Sequence, residues 1–321
     1  MIAVWHSDRP EGPDPVGADF PTLIAERRTL VESGLRSWLD RATAAAPPAL
    51  AEAIAYSLLA PGKRLRPLLV VLAAEATGGK PESAVPAACA VEMVHTYSLV
   101  HDDLPAMDDD DLRRGLPTCH KKYGDALAIL AGDALLTAAF QVLGEGYPPR
   151  TAAVSCLELA RGAGAAGMVA GQVLDLAAEG KVPRAPAPRT ATDLEGVHAR
   201  KTGALFTASL RLGLLAAQGE RPGGPDAAAR EALDRFGRAF GLAFQIADDL
   251  LDVQGSSDRA GKRVGKDAAR GKLTFPGLLG VDESRRRVRE LYNEAAQAAE
   301  TLGPAAGPLA ELARVVAERD R

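Results

Sequence analysis

Two runs of aspartate, each closing an apolar stretch with helical spacing, constrain the fold of this chain more than any other feature. They are HDDLPAMDDDD at 101–111 and ADDLLD at 247–252. In the second run Asp248 and Asp252 are four residues apart. On a helix they share one face a turn apart, and Gln245 lies on the same stripe. The segment around them, GLAFQIADDLLDV, is apolar and brings no adjacent basic side chain. Carboxylates placed there repel one another and are costly to desolvate. A cation offsets that cost, and an oxygen-only donor set suits Mg2+. In the first run the candidates are Asp102, Asp103 and Asp108. A spacing of six turns Asp108 off the face of a straight helix. Pro105 breaks that helix, and a bulge there returns Asp108 to the side of Asp102. The two runs lie far apart in sequence, so a fold that uses both must bring two helix ends face to face.

Taken singly, either run is more often a solvated helix end. A calcium loop would need alternating acids and a distal glutamate, which neither run has. Two such runs, each after an apolar helix, weigh against both readings, as does His95, two turns before Asp102 on the same face. Asp109, Asp110 and Asp111 are expected to face water or to pair with Arg113 and Arg114.

Cations gather elsewhere. Lys63, Arg64 and Arg66 stand at a helix start in GKRLRP, and Arg113 and Arg114 follow the first acidic run. Lys201, Lys262, Lys266 and Lys272 lie in or near glycine-bearing segments. Guanidinium and ammonium groups suit phosphate, and a helix N-terminus adds favourable partial charge. Carboxylates for metal together with separate cations for phosphate point to two diphosphates, one held through Mg2+ and one held directly.

The rest of the chain reads as helix. Aromatics are only 4% of its 321 residues, while Ala and Leu abound. No convincing strand pair or hairpin stands out. Helical segments are expected over 83–103, 125–143, 151–178, 193–217, 226–253, 284–302 and 308–319, with a turn-rich break at Gly219–Pro225. Residues 1–20 read as a flexible tail without a signal-peptide core, and 21–321 as a single all-helical domain. The net charge of −4 argues against nucleic acid. No run approaches 18 uninterrupted apolar residues, since Asp133 breaks the window 126–140, so no membrane span is expected. Cys89, Cys119 and Cys156 form neither a disulfide framework nor a zinc pattern, which fits a reduced, cytoplasmic setting.

These motifs resemble the trans-prenyl diphosphate synthase family, and most closely its bacterial farnesyl diphosphate synthases. The resemblance covers roughly the whole chain after the tail. It is carried in order by GKRLRP (62–67), SLVHDDLPAMDDDDLRRGLPTCHKKYG (98–124), AGDAL (131–135), GQVLDLAAEGK (171–181), HARKTGAL (198–205), GLAFQIADDLLDV (241–253) and GKRVGKDAARGKLTFPGLLG (261–280). No departure appears at a position the family needs. The resemblance implies an all-α, isoprenoid synthase-type bundle around a deep central cavity, assembled as a homodimer, with three Mg2+ ions per active site. It implies Asp102 and Asp108 as metal ligands supported by Asp103, and Asp248 with Asp252 for the remaining ion. It implies Lys63, Arg66, His95 and Arg114 for isopentenyl diphosphate. Arg113, Lys201, Thr202, Gln245 and Lys262 would surround the allylic diphosphate. Of these, Arg113, Lys201 and Lys262 would stabilise the departing pyrophosphate. Lys266 and Lys272 are looser matches, and Gln172 and Asp175 match family positions near the pocket.

Product length should be set below the first motif, where the growing tail points. Tyr97 lies five residues before Asp102, about 7.5 Å along a helix axis, and is expected to act as a floor, with the small Ser98 beside it. The reading is farnesyl diphosphate, with geranylgeranyl diphosphate as the alternative. A terpene cyclase would not need the second cation site, and a non-catalytic regulatory subunit should have lost an acidic motif. The remaining histidines, His101 and His120 among them, carry no expected role in the chemistry.

Overall fold

The structure, a computed structural model, describes residues 20–254 and 273–318. Helices dominate it. In chain order they are α1 (Phe20–Thr43), α2 (Pro48–Leu58), α3 (Leu65–Ala76), α4 (Val85–Asp102), α5 (Cys119–Tyr123), α6 (Asp125–Gly146), α7 (Pro149–Ala163), α8 (Met168–Ala178), α9 (Ala191–His198), α10 (Ala204–Gln218), α11 (Ala227–Gln254), α12 (Phe275–Leu279), α13 (Val281–Glu300) and α14 (Gly307–Glu318). Phe20, assigned to the tail from sequence, opens α1 and is buried.

Two helices organise the interior. In α3 every residue from Pro67 to Ala74 is buried. Helix α10 is likewise apolar around its circumference, with Leu205, Leu212 and Leu215 on one side and Phe206, Leu210 and Leu214 on another. A helix that is apolar all round must be covered all round. One core, built from α1, α2, α4 and α6, packs on one side of this pair, and a second, built from α11, α13 and α14, packs on the other. Each Leu, Val or Phe fully enclosed this way contributes roughly 1.5–3 kcal/mol of burial.

Helix ends follow local chemistry. Pro47 and Pro48 start α2. Thr190 and Asp193 form a reciprocal capping box at α9. The Asp226 carboxylate accepts the amides of Ala228 and Ala229 at 2.8 and 3.1 Å as α11 begins.

Three expectations change. The 151–178 segment is two helices, broken between Gly164 and Gly167. The 193–217 segment carries a π-helical turn, Ala199–Gly203, between α9 and α10. A short hairpin does exist, Leu112–Arg113 (β1) against Leu116–Pro117 (β2). It is closed by Arg114 and Gly115, both at positive φ (55° and 78°), as a two-residue loop that matches strand twist requires. Helix α6 is long and apolar enough to cross a membrane by length and composition alone, a test that core helices of bundles also pass. Its Ala128, Ala131, Leu135, Ala139 and Val142 form a buried stripe against the bundle, and Ile129 and Leu130 remain exposed.

Candidate active site

The first acidic run bends back as its proline demands. Helix α4 ends at Asp102, the Met107 amide donates to the Leu104 carbonyl at 2.9 Å, and the Asp108 amide donates to the Asp102 carbonyl at 2.8 Å. Asp108 therefore returns to the side of Asp102, and its charge is felt there. Burial pushes the Asp102 carboxyl up to about 6, with Lys201 opposing the rise and Asp108 adding to it. The loop is held from outside by Lys181, whose Nζ donates to the Met107 carbonyl at 2.6 Å and pairs with Glu179 at 2.6 Å.

Asp103 has a different partner. The Arg113 fork donates to both its oxygens at 2.6–2.9 Å, and the carboxylate side chain is 4% exposed. The hairpin turn separates the two arginines. Arg113 on β1 reaches Asp103, whereas Arg114 in the turn donates to the Pro61 carbonyl at 2.8 Å. Of the further acids, Asp109 and Asp111 are exposed, one of the two expected outcomes, and Asp111 pairs with Lys121 at 2.8 Å.

Arg66 and His95 meet across α3 and α4, with Arg66 Nη1 3.2 Å from His95 Nε2 and the guanidinium 4.5 Å above the Phe206 ring. Burial, then the charges of Arg66 and Arg114, hold His95 neutral. Burial lowers Arg66 to about 10, against the charges of Glu92 and Asp248. The Asp248 charge felt at Arg66 links the second acidic run to this cluster. Lys63 is exposed beside it.

On the facing side the π turn delivers Lys201 and Thr202. Lys201 Nζ donates to Asp175 at 2.6 Å, and the Thr202 hydroxyl bonds to Gln245 on α11. A π turn inserts one residue into the helix and re-aims its side chains. Helix α8 reaches this turn because Gly171 has no Cβ: one would lie 2.1 Å from the Lys201 nitrogen. Asp248 and Asp252 ride on α11 as the spacing required, while the intervening Asp249 is buried and accepts the Phe275 amide at 3.0 Å. Lys262, with Lys266 and Lys272, lies outside the described residues.

Tyr97 is 8% exposed and meets His101 edge to face, ring centroids 5.7 Å apart. The Ser98 hydroxyl turns back to the His95 carbonyl at 2.8 Å. His101 joins α4 to α6 through the Ile129 carbonyl at 3.1 Å, and His120 is buried against Thr118, so both are structural. Sequence reasoning ranked Asp175 low, and it did not foresee Lys181 as a tether or Glu92 as a buried anion. All three lie inside the quoted motifs or on an apolar helix, where nothing but a partner side chain reveals them.

The donor set fits Mg2+. Only oxygen donors are offered, and the rise at Asp102, set by burial first and by the Asp108 charge after it, is one that a dication relieves. Among the described residues no three His, Cys, Asp or Glu side chains converge on one ion position. The Gln172 amide is buried with neither of its polar atoms partnered, as expected beside a site that a ligand or water completes. Two cavities of about 340 and 320 Å3 lie elsewhere, the first between α1, α2 and α6 and the second between α7 and α10. Neither is lined by the two aspartate runs, so neither is the expected central cavity.

The polyprenyl synthetase family model matches residues 47–306. A farnesyl diphosphate synthase of Geobacillus stearothermophilus is 44% identical over 306 residues, which cover 93% of this chain and 97% of that protein. A chloroplastic geranylgeranyl pyrophosphate synthase of Capsicum annuum is 46% identical over 278 residues, 85% of this chain and 72% of that one. The crystal structure of a Helicobacter pylori geranyltransferase, complexed with magnesium and isoprenyl diphosphate, superposes with a TM-score of 0.78 at 30% identity, covering 95% of this chain and 99% of that one. On its motifs, its helical architecture and these similarities, the chain belongs to the polyprenyl synthetase family.

Proposed function

We propose that this protein is a trans-prenyltransferase that joins isopentenyl diphosphate to dimethylallyl or geranyl diphosphate and releases farnesyl diphosphate and pyrophosphate. The observation that carries the reading is the opposition of two kinds of charge. Asp102, Asp108 and Asp248 offer oxygen donors for a dication, and Arg66 and Arg114, with the neutral His95 against Arg66, form a separate cationic cluster beside them.

Asp102 and Asp108, with Asp248 and Asp252 opposite, would hold three Mg2+ ions. When bound, these neutralise the allylic diphosphate and the charge that builds on its leaving group. Lys201 and Arg113 add fixed positive charge at the same place, and Lys262 joins them in the proposal. Thr202 and Gln245 orient the allylic diphosphate. Lys63, Arg66, His95 and Arg114 hold isopentenyl diphosphate so that its double bond faces the carbon losing pyrophosphate. The C–O bond breaks, the new C–C bond forms, and a proton leaves to the released pyrophosphate. Apolar walls keep water from the cation. Tyr97, with Ser98 beside it, closes the end of the tail site and stops growth at fifteen carbons. The second reading is a twenty-carbon product, favoured by the similarity to a geranylgeranyl pyrophosphate synthase.

The same proposal includes a homodimer. Ile129 and Leu130 on α6 and Val154 and Leu157 on α7 are exposed apolar side chains, the residue type that association surfaces cover. It also includes a cytoplasmic location, supported by three free cysteines.

The test is incubation with isopentenyl diphosphate and geranyl diphosphate, with and without Mg2+, followed by chromatography of the dephosphorylated products. A Mg2+-dependent C15 alcohol is expected. A C20 product keeps the chemistry and removes the Tyr97 floor, and no elongation by folded protein removes the assignment.

A further inference from the structure

Arg64 stands between Lys63 and Arg66 in the 62–67 motif but turns into the protein. Its side chain is 3% exposed, Nη1 donates to Glu92 Oε1 at 2.6 Å, and Nη2 donates to the Ala60 carbonyl at 2.9 Å. Glu92 is also 3% exposed. The Arg64 backbone is left-handed, φ 51° and ψ 33°, at the residue that caps α3. Crowding of Cβ disfavours that conformation outside glycine, and it persists only where the surroundings over-determine it.

Glu92 lies three residues before His95, one helical turn along the same face of α4. The start of α3 is therefore pinned to α4 twice, by Arg64 on Glu92 and by Arg66 on His95 at 3.2 Å. Glu92 also acts on the charges of Arg66 and Arg114. Four guanidinium groups, those of Arg64, Arg66, Arg113 and Arg114, act together on His95. Before a diphosphate arrives these cations repel one another, and a buried carboxylate among them holds the group together. Stability alone does not explain such a pair, because apolar residues of similar volume commonly replace a buried ion pair without loss.

We propose that Arg64 and Glu92 are positioning residues for the isopentenyl diphosphate site, a buried ion pair that sets the left-handed turn and so aims Lys63 and Arg66 at one diphosphate. The proposal rests on the assignment of that site in the preceding subsection.

The test compares wild type with the Arg64→Met/Glu92→Leu double variant and with Arg64→Lys, reading kcat, both KM values and the melting temperature. The double variant should fold and raise the KM for isopentenyl diphosphate about ten- to hundredfold, the scale of a small misplacement of binding groups. Its KM for geranyl diphosphate should stay within about twofold. Arg64→Lys keeps the charge, loses the fork, and should fall between the two. Wild-type KM values for both substrates in the folded double variant, or an equal rise in both, overturn the proposal. If the double variant does not fold, Arg64→Lys decides alone: a rise confined to isopentenyl diphosphate supports the pair, and unchanged or equally raised values overturn it. Failure of the wild type to elongate anything overturns the assignment of the site instead. Calorimetry with inorganic pyrophosphate then still tests the pair, through weaker binding to the variant.

Discussion

Replacing Asp102 by asparagine should make the metal-free protein more stable while removing its activity. The Asp102 carboxyl rises from an ordinary 3.8 to about 6, chiefly through burial, with Lys201 opposing and Asp108 reinforcing the shift. The folded state then holds the proton more tightly than the unfolded chain. Between pH 4 and 6 the unfolded chain binds fewer protons, so stability falls as pH rises through that window. At about 1.4 kcal/mol per unit, ionised Asp102 costs the metal-free fold roughly 3 kcal/mol at pH 7. At pH 5, where the folded carboxyl is mostly protonated, the same linkage leaves roughly half of that. Asparagine has nearly the same shape and cannot ionise. The variant should therefore melt roughly 5 °C higher than wild type in chelator at pH 7, with a smaller advantage at pH 5. Mg2+ with pyrophosphate should stabilise wild type and reverse the order. Thermal melts at the two pH values, with and without metal, measure all of this. A variant less stable than wild type in chelator at pH 7, or an offset equal at both pH values, would refute the argument that repulsion and burial at Asp102 are relieved only by a cation.

Three further outcomes follow from the geometry. Tyr97→Ala should lengthen the product beyond C15 without loss of turnover, read by chromatography; an unchanged product removes the floor. Gly171→Ala drives a Cβ to within 2.1 Å of the Lys201 nitrogen and 2.4 Å of its Cα, both backbone atoms. It should cost on the order of 1–3 kcal/mol by denaturant titration and lower kcat by displacing Lys201; wild-type values would mean that α8 and the π turn shift apart freely. Asp103→Ala strips Arg113 of its two-oxygen partner. Because Arg113 is 31% exposed, the stability loss should be on the order of 1–2 kcal/mol, and kcat should fall further than that loss explains if Arg113 aids the departing pyrophosphate.

Much of this molecule is readable along the chain. Helical class follows from Ala- and Leu-rich segments with period-3.6 patterning. The aspartate runs declare themselves because carboxylates at the end of an apolar helix need an explanation. Pro105 even foretold the backward bend that returns Asp108 to Asp102. Such features are local, decided within a turn or two of helix. What could not be read were pairings. The 112–117 hairpin has too few residues to show strand alternation, yet its left-handed Arg114 sends two adjacent arginines to different partners. The π turn at Lys201 looks in sequence like any stretch of helix. Both breaks depend on neighbours that lie far away in the chain.

The sequence by itself determined that this chain would be a helical bundle with two aspartate runs at helix ends and its cations gathered apart from them, because residue type and spacing settle which groups share a helix face. Only the tertiary structure decided that Asp103 belongs to Arg113, that Lys201 leans on Asp175, and that Arg64 turns inward to Glu92. A buried charge takes the partner that three-dimensional packing puts within about 3 Å of it, and no spacing along one chain encodes that distance.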